Sequence, residues 1–65
     1  MLDPEKLKYR MGLKFLDGVS LAEKCGITKS TVYNLLKART QPRPETLQAL
    51  CEALECEPAD LLKEV

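Results

Sequence analysis

From Lys24 to Pro44 the chain carries five basic side chains, Lys24, Lys29, Lys37, Arg39 and Arg43, and neither Asp nor Glu. The chemistry open to such a run is attraction of a polyanion, because a carboxylate among the cations would repel the same partner. The bias is local. Ten basic and ten acidic groups cancel over the 65 residues. Residues 1–43 hold nine basic and four acidic groups, a net of +5, and residues 44–65 hold one basic and six acidic groups, a net of −5. Scattered lysines alone would mean only a solvated surface; the missing acids favour one face built for polyanion contact.

Other chemistries are poorly supplied. There is no histidine, and no carboxylate or hydroxyl has the partner spacing that activates a nucleophile, so an enzyme is not expected. Cys25, Cys51 and Cys56 are odd in number and lack CxxC spacing. They read as small reduced apolar residues rather than as a metal or redox site, and no metal or cofactor is expected. No apolar run reaches membrane-spanning length and no signal peptide precedes the first helical pattern, which implies a soluble cytoplasmic protein, nucleoid-associated if prokaryotic. The initial Met and the complete set of elements suggest a whole chain and one domain, residues 1–65.

The elements that must position these charges are helical throughout: an all-α chain of five short helices. Asp3 caps a first helix from Pro4 to Phe15, in which Leu7 and Met11 share a face. Asp17 caps a second, from about Gly18 to Cys25, with Leu21 and Cys25 pointing inward, and Gly26 ends it. Thr28 caps a third, from Lys29 to Lys37, which buries Val32, Leu35 and Leu36 and presents Lys29, Ser30, Tyr33, Asn34 and Lys37. A loop, ARTQPRP, leads to Pro44 and a fourth helix reaching Leu54, with Leu47, Leu50, Cys51 and Leu54 at core spacing. Pro58 opens a last short helix carrying Leu61 and Leu62.

Two short helices joined through Gly26, the second free of acids, describe a helix-turn-helix over residues 18–37. Ala22 is small because the two helices cross beside it. Gly26 makes a turn that a Cβ would strain. Ile27 fills the corner, and Leu21, Val32 and Leu35 lock one helix onto the other. The N-terminal turn of the third helix is then left projecting, shaped for a major groove.

These residues carry a resemblance. The stretch SLAEKCGITKSTVYNLLKAR, followed by PETLQALCEALECEPADLL, resembles the DNA-binding domains of the Cro and λ-repressor type, the Xre superfamily, over most of the chain. The ending looks like that of short stand-alone regulators. The resemblance implies a λ-repressor-like fold and a transcriptional regulator of double-stranded DNA, acting as a homodimer on an inverted repeat without an evident small-molecule effector. It puts Lys29, Ser30 and Asn34 in the base-reading places, and Thr28, Thr31, Tyr33, Lys37, Arg39 and Arg43 at the backbone or on the flanks. Two positions depart from the usual pattern. Gly18 stands where many relatives carry a DNA-touching Gln, so that contact is lost or a backbone N–H replaces it. Met11 and Leu36 stand where many relatives carry an Arg–Glu ion pair. Replacing both partners by apolar groups can be neutral or stabilising, and the two are expected to touch. A dimer surface is expected in the acidic C-terminal portion, with Leu61, Leu62 and Val65 as candidates, although Leu61 and Leu62 serve equally as core. The alternative is a protein-interaction module, such as an antitoxin or accessory regulator, whose helix-turn-helix serves partner binding.

Overall fold

In a computed structural model of the chain, residues 1–63 are described. They form α1 (Pro4–Leu13), α2 (Gly18–Cys25), α3 (Lys29–Leu36), α4 (Pro44–Leu54) and a 3₁₀ turn, Pro58–Asp60. The all-α expectation holds, with a correction to the count: the fifth helix is a single 3₁₀ turn. A reciprocal capping box between Glu57 and Asp60 closes that turn. Leu62 lies past it, its backbone drawn into an isolated antiparallel bridge with Leu2.

The helix starts follow the short polar residues before them. The side chain of Asp3 accepts the amide of Glu5, Asp17 that of Ser20, and Thr28 that of Thr31. Each satisfies one of the N–H groups that a first turn leaves without an intrahelical partner. Only α4 starts without such a side chain; Arg43 precedes its Pro44.

The helix ends share one device. The amides of Leu16, Ile27, Arg39 and Cys56 return to the carbonyls of Met11, Ala22, Asn34 and Cys51, across residues in the left-handed region: Phe15 (φ 55), Gly26 (φ 71), Ala38 (φ 58) and Glu55 (φ 54). This is the six-to-one closure of a Schellman motif. It explains why α1 and α3 stop short of Phe15 and Lys37: Phe15 has already left helical φ, and Lys37 is the last residue before Ala38 does so.

The core is one cluster drawn from all four α-helices and from both flanking segments: Leu2, Leu7, Met11, Leu21, Ala22, Val32, Leu35, Leu50, Cys51, Leu54 and Leu61. α2 packs on both α3 and α4, α1 on α3, and the 3₁₀ turn on α4. Met11 is buried and Leu36 packs half-buried against the same cluster, and among the described residues no charged side chain is buried. Cys51 is buried, and burial pushes its thiol up to about 11. Burial also raises Cys25 and Cys56, which pack on the core from its edge. A thiol held protonated is a poor nucleophile, in keeping with three structural cysteines.

Of the two readings open for Leu61, dimer surface or core, the structure favours the core. Leu61 is fully buried, and Leu2 lies in the same cluster, so its side chain is unavailable to a partner. Leu62 is half-buried, and Val65 lies outside the described residues. The two ends of the chain are clasped: Asp3 N–H donates to the Leu61 carbonyl at 2.8 Å, Lys63 N–H to the Met1 carbonyl at 2.8 Å, and Lys6 Nζ to the Leu62 carbonyl at 2.9 Å. Arg10 pairs with Asp60 at 3.4 Å, and Lys14 pairs with Glu55. Among the described residues no helix is long and apolar enough to cross a membrane.

Candidate nucleic-acid interface

The turn between α2 and α3 is built from residues that can do little else. Gly26 adopts φ 71, and the amide of Ile27 closes on the carbonyl of Ala22 at 3.0 Å. Leu21, Val32 and Leu35 are buried, Ala22 lies beneath the crossing, and Ile27 packs half-buried at the corner. Of the six residues expected to build the motif, five are buried or half-buried against the core and Gly26 makes the left-handed turn between α2 and α3.

The outer face of α3 presents the expected polar set. Thr28, Lys29, Ser30, Tyr33 and Lys37 are exposed; Thr31 and Asn34 are half-buried. Among the described residues no carboxylate pairs with Lys29, Lys37, Arg39 or Arg43, so all four cations face solvent without an internal counter-ion. Thr28 is engaged locally: its hydroxyl accepts the amide of Thr31 at 3.2 Å and lies 2.9 Å from the Thr31 hydroxyl. The amides of the next residues have no intrahelical partner and lie at the positive end of the helix dipole, a place where an anion is stabilised.

Beyond α3 the chain reverses at Ala38, where the amide of Arg39 reaches the Asn34 carbonyl at 2.9 Å. Arg39 and Arg43 are thereby set on the loop leading to α4, and Arg43 stands at the start of that helix, which has no side-chain cap. A shallow groove of about 340 Å³ lies between α3 and this loop, lined in part by Thr31, Thr40, Gln41, Arg43 and Thr46. Thr40 follows Arg39 in the acid-free run, whereas Thr46 follows Glu45 just past it, and no local signal in the sequence places Thr46 on this groove. Gln41 has a second task, its side-chain carbonyl accepting the amide of Leu2 at 2.9 Å.

The start of α2 differs from expectation. Asp17 caps it, accepting the amide of Ser20 at 2.7 Å, and these hydrogen bonds from Ser20 hold its carboxyl below the usual range. This helix end therefore already has an anion of its own, which disfavours a backbone N–H of α2 as the replacement for a side chain at position 18. Gly18 is buried, and a Cβ there would fall 2.9 Å from Cζ of Tyr33. The ring of Tyr33 thus occupies the space of the missing side chain. Nothing local in the sequence announces this, because the two residues belong to different helices.

Comparison with known proteins bears on what this face does. The family model of the Cro/C1-type HTH DNA-binding domain matches residues 6–65. The chain is 41% identical over 44 residues to YozG of Bacillus subtilis (strain 168), described as an uncharacterized HTH-type transcriptional regulator; the match covers 66% of this chain. The chain spans about half (52%) of the length of that relative. Among solved structures, the P22 c2 repressor in complex with a synthetic operator superposes with a TM-score of 0.87 at 28% identity, over 97% of this chain and 96% of that one. The solution structure of the P22 c2 DNA-binding domain gives 0.82 at 25% identity, over 91% and 78%. PhpD matches with a TM-score of 0.82 at 28% identity over 98% of this chain but only 14% of its own. That likeness is confined to a small part of PhpD.

Proposed function

The chain belongs to the Cro/C1-type helix-turn-helix DNA-binding family, and from that premise we propose that it is a sequence-specific regulator of transcription. In this reading residues 1–65 act as one non-enzymatic domain, in the cytoplasm, with α3 in the major groove of duplex DNA. Lys29, Ser30 and Asn34 read base edges: a lysine can donate to guanine O6 and N7, and an asparagine can pair bidentately with adenine. Thr28, Thr31, Tyr33, Lys37, Arg39 and Arg43 meet phosphates and set the register without specifying sequence. Two copies bind an inverted repeat, because one copy reads too few base pairs to select a site among genomic competitors.

The observation that carries the reading is the outer face of α3, whose cations have no counter-ion among the described residues, on a fold that superposes on a repressor seen with operator DNA. Selection from a random duplex pool tests it, with the wild type and a Lys29→Ala/Asn34→Ala variant side by side. The wild type is expected to enrich an inverted repeat and the variant is not, each lost base contact weakening the selected site by about 1–3 kcal/mol. Enrichment of the same sequence by both would move the reading off these residues. No enrichment by a folded wild type would sink the DNA-binding proposal and favour a protein partner.

A further inference from the structure

The seat of Tyr33 on Gly18 carries an inference that deepens the proposed DNA-binding reading and rests on it. Ser30, Tyr33, Asn34 and Lys37 follow one another at helical spacing along the outer side of α3. Tyr33 differs from the other three in leaning onto α2. An ideal Cβ at Gly18 would lie 2.9 Å from its Cζ, 3.0 Å from Cε1 and 3.1 Å from its hydroxyl oxygen. The far edge of the ring therefore covers the first residue of α2, and the ring remains 43% exposed. Among the described residues no group hydrogen-bonds the phenol oxygen. A donor held by packing, at the rim of an acid-free face and without an internal partner, is oriented for a ligand.

We infer that the Tyr33 hydroxyl donates to a DNA phosphate beside the start of α2, and that Gly18 is present to seat the ring. Tyr33, carried by the second helix of the motif, thereby serves the rim beside the first residue of its first helix, α2. The acceptor is a phosphate rather than a base because the first helix of a helix-turn-helix crosses the backbone while the second enters the groove. A ring resting on that first helix lies at the rim. Asp17 already satisfies the amide of Ser20, so the helix end itself is ill suited to the phosphate and the neutral phenol is a better donor at this seam.

Tyr33→Phe and Gly18→Ala, alone and combined, test this against the sequence selected by the wild type and against a scrambled duplex. Gly18 does not sit at positive φ, and the atoms a new Cβ would meet belong to the end of a movable side chain, so Gly18→Ala should fold; circular dichroism melting verifies each variant. Tyr33→Phe is expected to melt like the wild type and to bind both duplexes about threefold to tenfold more weakly. Its base preference and its salt slope should be unchanged, since a neutral donor releases no counterion. Gly18→Ala is expected to displace the ring and cause a loss of similar size, with little further loss in the double variant. Equal binding by Tyr33→Phe and wild type overturns the inference, as does a loss confined to the selected sequence, which would mean a base contact. Additive losses overturn the role of Gly18. Failure of the wild type to bind any duplex is a different result, and it overturns the DNA-binding reading itself.

Discussion

Single residues in this protein are placed under constraints that their chemistry would not suggest. Phe15, Ala38 and Glu55 occupy left-handed backbone positions where glycine is at ease, and Phe15 is 96% exposed as well. A Cβ in this conformation costs about 1–2 kcal/mol. Ala38→Gly is therefore expected to stabilise the fold by about 1 kcal/mol, net of the greater freedom of glycine in the unfolded chain. For a chain of this length that is a rise of about 4–8 °C in melting temperature, readable by circular dichroism. A fall in melting temperature would mean that the Ala38 methyl packs more usefully than its backbone suggests. The same three residues mark where residue-level reading ran out. Gly26 announced its own turn, whereas nothing in the identity of Phe15, Ala38 or Glu55 announces positive φ. Those ends are imposed by the need to turn each helix back onto the core.

At the scale of elements, the starts were legible, as were the ends at Cys25 and Leu54, whereas α1 and α3 stop earlier than expected; the reason lies in side-chain chemistry. Asp3, Asp17 and Thr28 each accept an amide from the first turn that follows, so a short polar residue before an apolar period predicts a boundary. The Asp17 cap also carries a pH dependence. Hydrogen bonds from Ser20 lower its carboxyl below the ordinary value, so the folded state binds fewer protons there than the unfolded state does. Its contribution is full above the unfolded carboxylate range and is lost as pH falls through the lowered value. Glu55, lowered by its bond to Lys14, acts in the same direction. Asp17→Asn keeps a capping oxygen, so its melting temperature near neutrality should stay close to that of the wild type. On titration into acid the variant should lose less stability than the wild type. Parallel curves would show that Asp17 contributes nothing to the acid response.

At the scale of the whole molecule, the clasp between the two ends is the feature that most exceeds local reading. Leu2 is 2% exposed and Leu61 fully buried, in a cluster shared with leucines from all four α-helices and with Val32. A chain this short buries a modest fraction of its surface and has a correspondingly thin margin of stability. Leu2→Ala should cost about 2–4 kcal/mol by lost burial and a cavity. Chemical denaturation should show a midpoint far below that of the wild type, and partial unfolding under native conditions is the expected extreme. A shift of only a few tenths of a kcal/mol would mean that the N-terminal segment is dispensable. The same burial takes the Leu61 side chain out of reach of a second copy.

The amino-acid sequence by itself determined the helical starts, the Gly26 turn, the inward stripe of each helix and the separation of a basic face from an acidic end. These depend on contacts within a few residues, or on composition, and need no knowledge of what lies across the molecule. The tertiary structure alone decided that Leu2 and Leu61 share one core, that Thr40 and Thr46 border the same groove as Arg43, and that Tyr33 covers Gly18. Each joins residues from different elements. Their proximity follows from the angle and distance at which helices pack, which the pattern along one helix leaves open.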